Sequence, residues 1–213
     1  MDATRLLLIR HGETDWNAAN RIQGQLDIPL NARGREQARL LAEALAERDP
    51  IDHIYSSDLA RALQTAQAIG TRLQSPITPM AVLRERAFGA FEGRTFADVR
   101  ASDPEQSERW RRRDPGWAPP HGETLVRFRD RITRAVTALA QQNPGRQIAV
   151  VAHGGVLDVM YRAATGLELP PPRTWKIPNA AVNRVLWTTD SGFTLVGWAD
   201  TSHLDATLDE GVA

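Results

Sequence analysis

The chain contains no cysteine in 213 residues, and that absence removes three kinds of protein at once. A disulfide scaffold, a thiolate nucleophile and a cysteine-ligated zinc site all need the missing side chain. Lysine is almost as scarce: Lys176 stands alone, and every other basic residue is arginine. Arginine suits bidentate contacts with phosphate, although a genome's composition explains such a bias at least as well. Charge of one sign is also lacking, because 26 basic and 26 acidic residues cancel. Bulk electrostatics therefore argues against nucleic acid or a membrane surface as partner. No apolar run approaches the roughly 20 residues of a membrane span. The first strand begins almost at the N-terminus, so no signal peptide is expected and a cytoplasmic enzyme is the default expectation.

What remains is an ordinary globular composition, 42% apolar and 24% charged, with length enough for one substantial domain. Two segments repeat one design. Residues 5–12 read RLLLIRHG and residues 147–155 read QIAVVAHGG. Each is an uninterrupted apolar run, the signature of a strand buried on both faces of a parallel sheet. Each stops at a histidine followed by glycine. In open α/β sheets ligands bind outside the carboxyl ends of the strands. His11 and His153 are thus expected at one edge, each beside a glycine that lets backbone approach a ligand. Arg10 adds a guanidinium, and phosphate becomes the leading ligand. A metal site needs three or more converging ligands. His11 and Glu13 supply two, and no HxH or HxxxH spacing occurs, so neither metal nor cofactor is expected.

The remaining pattern alternates helix and strand. A helix is expected over Arg35 to Glu47 and a strand over Ile51 to Tyr55. Ser56, Ser57 and Asp58 then offer N-caps to a helix carrying Leu59, Leu63, Ala66, Ile69 and Leu73. The prolines of Pro76 to Pro79 suggest an edge strand. Regularity fails over residues 83–121, read as a small cap over the active-site edge; the competing reading is a surface excursion with one or two short helices. A long amphipathic helix follows, with Leu125, Phe128, Ile132, Val136 and Leu139 inward, ended by Asn143-Pro144-Gly145. The second histidine strand, a helix over Val156 to Ala164, and a hairpin over Ala181 to Thr188 and Thr194 to Ala199 complete it. These elements predict one α/β domain, a three-layer α/β/α sandwich on a mainly parallel sheet.

The segment Arg10-His11-Gly12-Glu13-Thr14 resembles the signature of the histidine phosphatase superfamily, which includes the cofactor-dependent phosphoglycerate mutases. The resemblance continues in order along nearly the whole chain. It takes in Arg21 to Gly24, Asp27 to Gly34, Ser57 to Ala62, Gln64 to Ala66, Leu83 to Glu85, Phe88-Gly89, Glu92-Gly93, Gly122 to Thr124, His153 to Gly155, Asn179 to Asn183 and Asp200 to Leu204.

The resemblance implies a phosphoglycerate mutase-like fold and a mechanism. His11 is the implied nucleophile, forming a phosphohistidine. Arg10, Arg61 and a protonated His153 stabilise the equatorial oxygens, and Asn17 hydrogen-bonds the phosphoryl group, with the Gly154 N–H as an extra donor. Glu85 matches the acid/base glutamate; Glu13, Glu92 and Glu123 are its rivals. Arg61 lies early in a helix, where arginine is commonly solvated, yet a helix N-terminus also suits an anion. Gln23 and Gly24 are expected to touch the substrate beyond its phosphate, or to be loop residues only. Trp110, Arg111, Arg112 and Arg113 resemble substrate-reading residues of the mutases, or form a solvated charge run. The function expected is a metal-independent phosphomonoesterase acting on a small phosphorylated metabolite. A phosphoglycerate mutase is the alternative, and a non-catalytic phosphate-binding module a third reading. A homodimer is compatible with the sequence.

Overall fold

The computed structural model describes residues 2–205. In chain order its elements are β1 (Thr4–Arg10), α1 (Asp15–Ala18), α2 (Ala32–Arg48), β2 (His53–Ser56), α3 (Ala60–Leu73), β3 (Ile77–Pro79), α4 (Phe96–Ser102), α5 (Pro104–Arg111), α6 (Leu125–Gln142), β4 (Gln147–Ala152), α7 (Gly154–Thr165), β5 (Val182–Thr188), β6 (Gly192–Asp200) and α8 (Ser202–Asp205). The six strands form one sheet in the order β3-β2-β4-β1-β5-β6. The first four run parallel, and β5 and β6 close the sheet as an antiparallel hairpin.

Alternation along the two histidine strands builds the layers. Leu6, Leu8, Ile148 and Val150 point to one face, where α6 and α7 cover them with Phe128, Ile132, Val136, Leu157 and Met160. Leu7, Ile9, Ala149 and Val151 point to the other, against Leu41, Leu45, Ala62, Ala66 and Ile69 of α2 and α3. Every residue of β4 is buried. Each fully buried leucine or isoleucine contributes about 1.5–3 kcal/mol, so both faces anchor the central strands. This is the expected three-layer sandwich, with β3 and its Pro79 at the sheet edge, where a missing N–H is tolerated.

Boundaries differ where local chemistry is not apolar. Helix α2 starts at Ala32, three residues before the expected Arg35, because Asn31 accepts from Gly34 N at the N-cap. Helix α3 does not use Ser56, Ser57 or Asp58 as its cap: its N-cap is Leu59, which makes no side-chain cap bond. The carboxylate of Asp27, from a distant loop, accepts from Ala60 N at 2.6 Å instead. The 83–121 stretch holds α4 and α5 and a small core of its own, with Phe91, Val99 and Trp117 buried together. Among the described residues no helix is long and apolar enough to cross a membrane.

Gly12 has a packing role. A Cβ there would lie 2.5 Å from the Gly34 carbonyl oxygen, and a Cβ on Gly34 would collide with the Glu13 backbone. The loop after β1 therefore rests directly on the first turn of α2. A glycine-to-alanine change inside a helix ordinarily gains about 1 kcal/mol. Gly34→Ala is expected to reverse that sign and cost about 2–3 kcal/mol, read as a lower midpoint in urea denaturation. Unchanged or higher stability would show that the loop yields.

Candidate active site

Adjacent parallel strands place the two histidines. Arg10 pairs with Ala152 in the β1–β4 register, so the next residue of each strand leaves the sheet at the same level. The His11 N–H donates to the Ala152 carbonyl at 3.0 Å, and the two imidazole centroids lie 5.3 Å apart. Both rings are buried. His11 Nδ1 lies 2.7 Å from the Gly12 carbonyl oxygen. A carbonyl only accepts, so Nδ1 carries the proton and Nε2 keeps its lone pair. Burial, then the charges of Arg61 and Arg10, push the His11 pKa well below the usual imidazole range. His11 is therefore a neutral imidazole with an available nitrogen at neutral pH.

His153 Nε2 lies 2.8 Å from Ser57 Oγ, while its Nδ1 is buried and unpaired. Burial first, then Arg61, His11 and Arg10, also push its pKa well below the ordinary value. That shift favours the neutral imidazole of His153, whereas an anion bound beside it favours the imidazolium.

Arg61 is not a solvated helix residue: it is 1% exposed. Its Nη1 donates to Leu26 O and its Nη2 to Gly24 O, at 2.8 and 2.7 Å. Arg10 Nη1 donates to Ile177 O at 2.6 Å. In both arginines the Nε is buried and unpaired. Burial lowers both pKa values, that of Arg10 to about 10, leaving both guanidiniums charged at neutral pH. The N-terminus of α7 adds its positive end here. Its N-cap His153 makes no side-chain cap bond, and Gly154 opens the helix beside Arg10 Nε.

Glu85 stands at the same helix end. Its Oε2 accepts from Gly155 N and its Oε1 from Arg86 N, both at 2.8 Å. A Cβ on Gly155 would strike this carboxylate, which explains the second glycine after His153. The rival glutamates are committed elsewhere. Glu123 forms a bidentate pair with Arg131. Glu92 Oε1 accepts from Gln25 N and Phe88 N, and Glu13 accepts from Asn31 and pairs with Arg33.

Gln23 and Gly24 sit one contact further out, while Asn17 is held by its oxygen. Asn17 closes a capping box on α1 with Thr14, and its Oδ1 also accepts from Asn179 Nδ2 at 3.3 Å. Gln23 Oε1 accepts from Thr14 Oγ1. Gly24 acts through its carbonyl on Arg61; its φ of +52° and the Glu92 carboxylate beside it leave no room for a side chain. The arginine run divides. Arg111 and Arg112 are exposed partners of Glu108. Arg113, at φ +54°, turns inward to Asp158 and the Leu169 carbonyl.

Sequence reasoning passed over several residues here. Asn179 Nδ2 donates to the carbonyls of His11 and Gly12, fixing the loop that carries His11. Arg86, Asp158 and Arg173 line a cavity of about 400 Å³ together with Glu85, Phe88, Trp110, Arg113, Phe128 and Gly155. Arg86, directly after Glu85, and Asn179, at the head of the Asn179 to Asn183 motif, had a positional signal. Among the described residues no three His, Asp or Glu side chains group as metal ligands.

A family model for the histidine phosphatase superfamily (branch 1) matches residues 6–201. The chain belongs to this superfamily, a placement consistent with a phosphoric monoester hydrolase. It is 39% identical over 201 residues to a glucosyl-3-phosphoglycerate phosphatase of Mycolicibacterium vanbaalenii, covering 91% of this chain and 87% of that one. It is 37% identical over 210 residues to phosphoglycerate mutase-like protein 4 of Arabidopsis thaliana, covering 97% and 90%. The solved structure of a mycobacterial glucosyl-3-phosphoglycerate phosphatase superposes with a TM-score of 0.82 at 34% identity, over 93% of this chain and all of that one.

The two buried imidazoles link stability to pH. The unfolded chain protonates histidine near pH 6.5, whereas the folded chain does so only well below that. Between those limits the unfolded state binds more protons. The contribution is fully present above about pH 6.5 and is lost as pH falls through the interval, by up to about 1.4 kcal/mol per pH unit for each group. Urea titrations between pH 7.5 and 5 are expected to show this slope, and a shallower one in His153→Asn. His53 and His203 shift in the same direction, so the difference between the two proteins is the informative quantity. Identical slopes would mean that His153 is not held neutral.

Proposed function

We propose that the protein is a metal-independent phosphomonoesterase that hydrolyses a small phosphorylated metabolite through a phosphohistidine on His11. One observation carries this reading. The unpaired buried Nε atoms of Arg10 and Arg61 and the Nδ1 of His153 accompany a neutral His11 whose other nitrogen is already committed. A buried donor without an acceptor costs roughly 1–3 kcal/mol, and a phosphoryl group supplies acceptors for the two arginine N–H groups and, once His153 takes a proton, for its Nδ1.

In the first half-reaction His11 Nε2 attacks phosphorus in line. The P–O ester bond breaks, and Glu85 gives its proton to the leaving alkoxide. In the second, Glu85 takes a proton from water, whose oxygen attacks phosphorus as the P–N bond breaks. Inorganic phosphate leaves and His11 is restored. Arg10, Arg61, the Gly154 N–H and His153, protonated as the dianion enters, offset the charge on the equatorial oxygens. Asn17 offers its amide nitrogen to the phosphoryl group. Gln23 and Gly24 support the site through Thr14 and Arg61. The 83–121 segment acts as the cap, and Arg173 at its rim meets a second anionic group of the substrate. A cytoplasmic place of action goes with a charged metabolite as substrate.

Phosphate release in EDTA from a panel of alkyl and aryl monoesters tests the reading, with 2-phosphoglycerate formation from 3-phosphoglycerate followed in parallel. Release is expected, and His11→Ala should reduce it to background. Isomerisation with little free phosphate would instead make the protein a mutase, as the mutase-like relative's name suggests. Turnover by His11→Ala would remove the phosphohistidine. In kcat/KM, Glu85→Gln is expected to lose about 10²–10⁴-fold on an alkyl ester and far less on an aryl one, whose leaving group hardly needs a proton. Equal losses would take the acid role away from Glu85.

A further inference from the structure

Asp158 lies on α7 one turn beyond Gly154 and Gly155, on the face that carries the helix end holding Glu85. It is 5% exposed and lines the same cavity as Glu85. Two arginines converge on one of its oxygens: Arg113 Nη2 at 2.7 Å and Arg162 Nε at 3.2 Å, both on Oδ2. The other oxygen, Oδ1, is buried and has no partner. A residue serving only to latch Arg113 and Arg162 would gain by offering both oxygens to a guanidinium fork. Instead one acceptor is left open, at a free-energy cost. Arg86 does not fill it, since its Nε and Nη2 are spent on the carbonyls of Glu123 and Trp117.

We propose that Asp158 determines specificity by accepting, at Oδ1, a hydrogen bond from a hydroxyl or ammonium group on the carbon skeleton of the substrate. This rests on the phosphatase reading above and adds the class of substrate. The leaving alcohol lies on the Glu85 side of the phosphate, which is the side that opens into this cavity. An arginine-lined cavity alone would favour any polyanion. A carboxylate with an open lone pair among those arginines favours an anion that also carries a donor. The aromatic rings of Phe88, Trp110 and Phe128 supply the apolar wall against which such a skeleton rests.

The test compares three substrates that differ at one carbon: O-phospho-L-serine with an ammonium group, 3-phospho-D-glycerate with a hydroxyl, and 3-phosphooxypropanoate with neither. The full chain is expected to show a kcat/KM at least about tenfold higher for one donor-bearing ester than for the donor-free one; the better of the two identifies the donor. Asp158→Asn is the diagnostic variant. Its amide must turn the oxygen to Arg113 and Arg162, which brings NH₂ to the place of Oδ1 and converts acceptor to donor. The preference is expected to fall below about threefold, the loss falling on the donor-bearing ester. Arg113→Ala, which removes the latch but keeps the acceptor, is expected to keep the preference. Equal rates on all three substrates would overturn the proposal while leaving the phosphatase reading intact. So would an Asp158→Asn variant that slows all three by one factor. No release from any ester would overturn the phosphatase reading, and this proposal with it.

Discussion

Positive charge buried without a direct ion pair is the constraint on which this structure turns: Glu85, Asp27 and Glu92 act on the two arginines only from a distance. Arg61 is almost fully removed from water, Arg10 stands beside it, and two imidazoles share their surroundings. Desolvated like charges repel, and the imidazoles respond by staying neutral. The guanidiniums cannot respond in that way, so the fold must hold them. It does so with dipoles rather than carboxylates: the carbonyls of Gly24, Leu26 and Ile177 take the terminal nitrogens. A carboxylate in those places would neutralise the site and compete with an incoming anion. Carbonyls orient the arginines and leave their charge unspent.

Much of the surrounding architecture follows from that need. The loop over Gln23 to Asp27 exists to present two carbonyls to Arg61. It is held by Glu92 at Gln25 N and by Asp27 at the first turn of α3, so the loop and the helix bearing Arg61 fix each other. On the opposite side Asn179 pins the carbonyls of His11 and Gly12, and the Gly12 carbonyl in turn sets the proton on His11 Nδ1. The tautomer that leaves Nε2 nucleophilic is therefore a property of backbone geometry rather than of a neighbouring acid. The second device follows β1, a strand buried from both faces, which fixes where His11 leaves the sheet.

The fold and the centre of the site were largely legible in the sequence, because both rest on periodicity and on ordered motifs. Two unbroken apolar runs ending in histidine imply adjacent buried strands. The residues from Ser57 to Ala66, read as a motif, carried Arg61 against the ordinary expectation for a helical arginine. What escaped has a common cause: it depends on contacts between distant residues. That Asp27 caps α3, that Gly12 rests on Gly34, and that Asn179 reaches back to His11 are facts of tertiary approach, with no local signature. Arg113 shows the same limit. Within one run of three arginines, a left-handed backbone turn sends the third inward while the first two stay with Glu108, and composition cannot distinguish them.

The two ends of the site differ in electrostatic character, and that difference separates rate from selection. Around His11 every open polar atom is a donor or becomes one, which suits a phosphoryl group whichever ester carries it. Beyond Glu85 the wall is mixed: guanidiniums, aromatic faces and one carboxylate with an unfilled lone pair. In the proposed reaction, interactions at the first end strengthen as charge develops on the equatorial oxygens, so they would lower the barrier for any monoester. Interactions at the second end are made with groups that do not change during the reaction. They can discriminate among substrates, and can raise the rate only by fixing the reacting oxygen against Glu85. A carboxylate placed among arginines at this second end would be a liability if the cavity had only to attract anions. Its burial there is physically reasonable when the cavity must also refuse some of them.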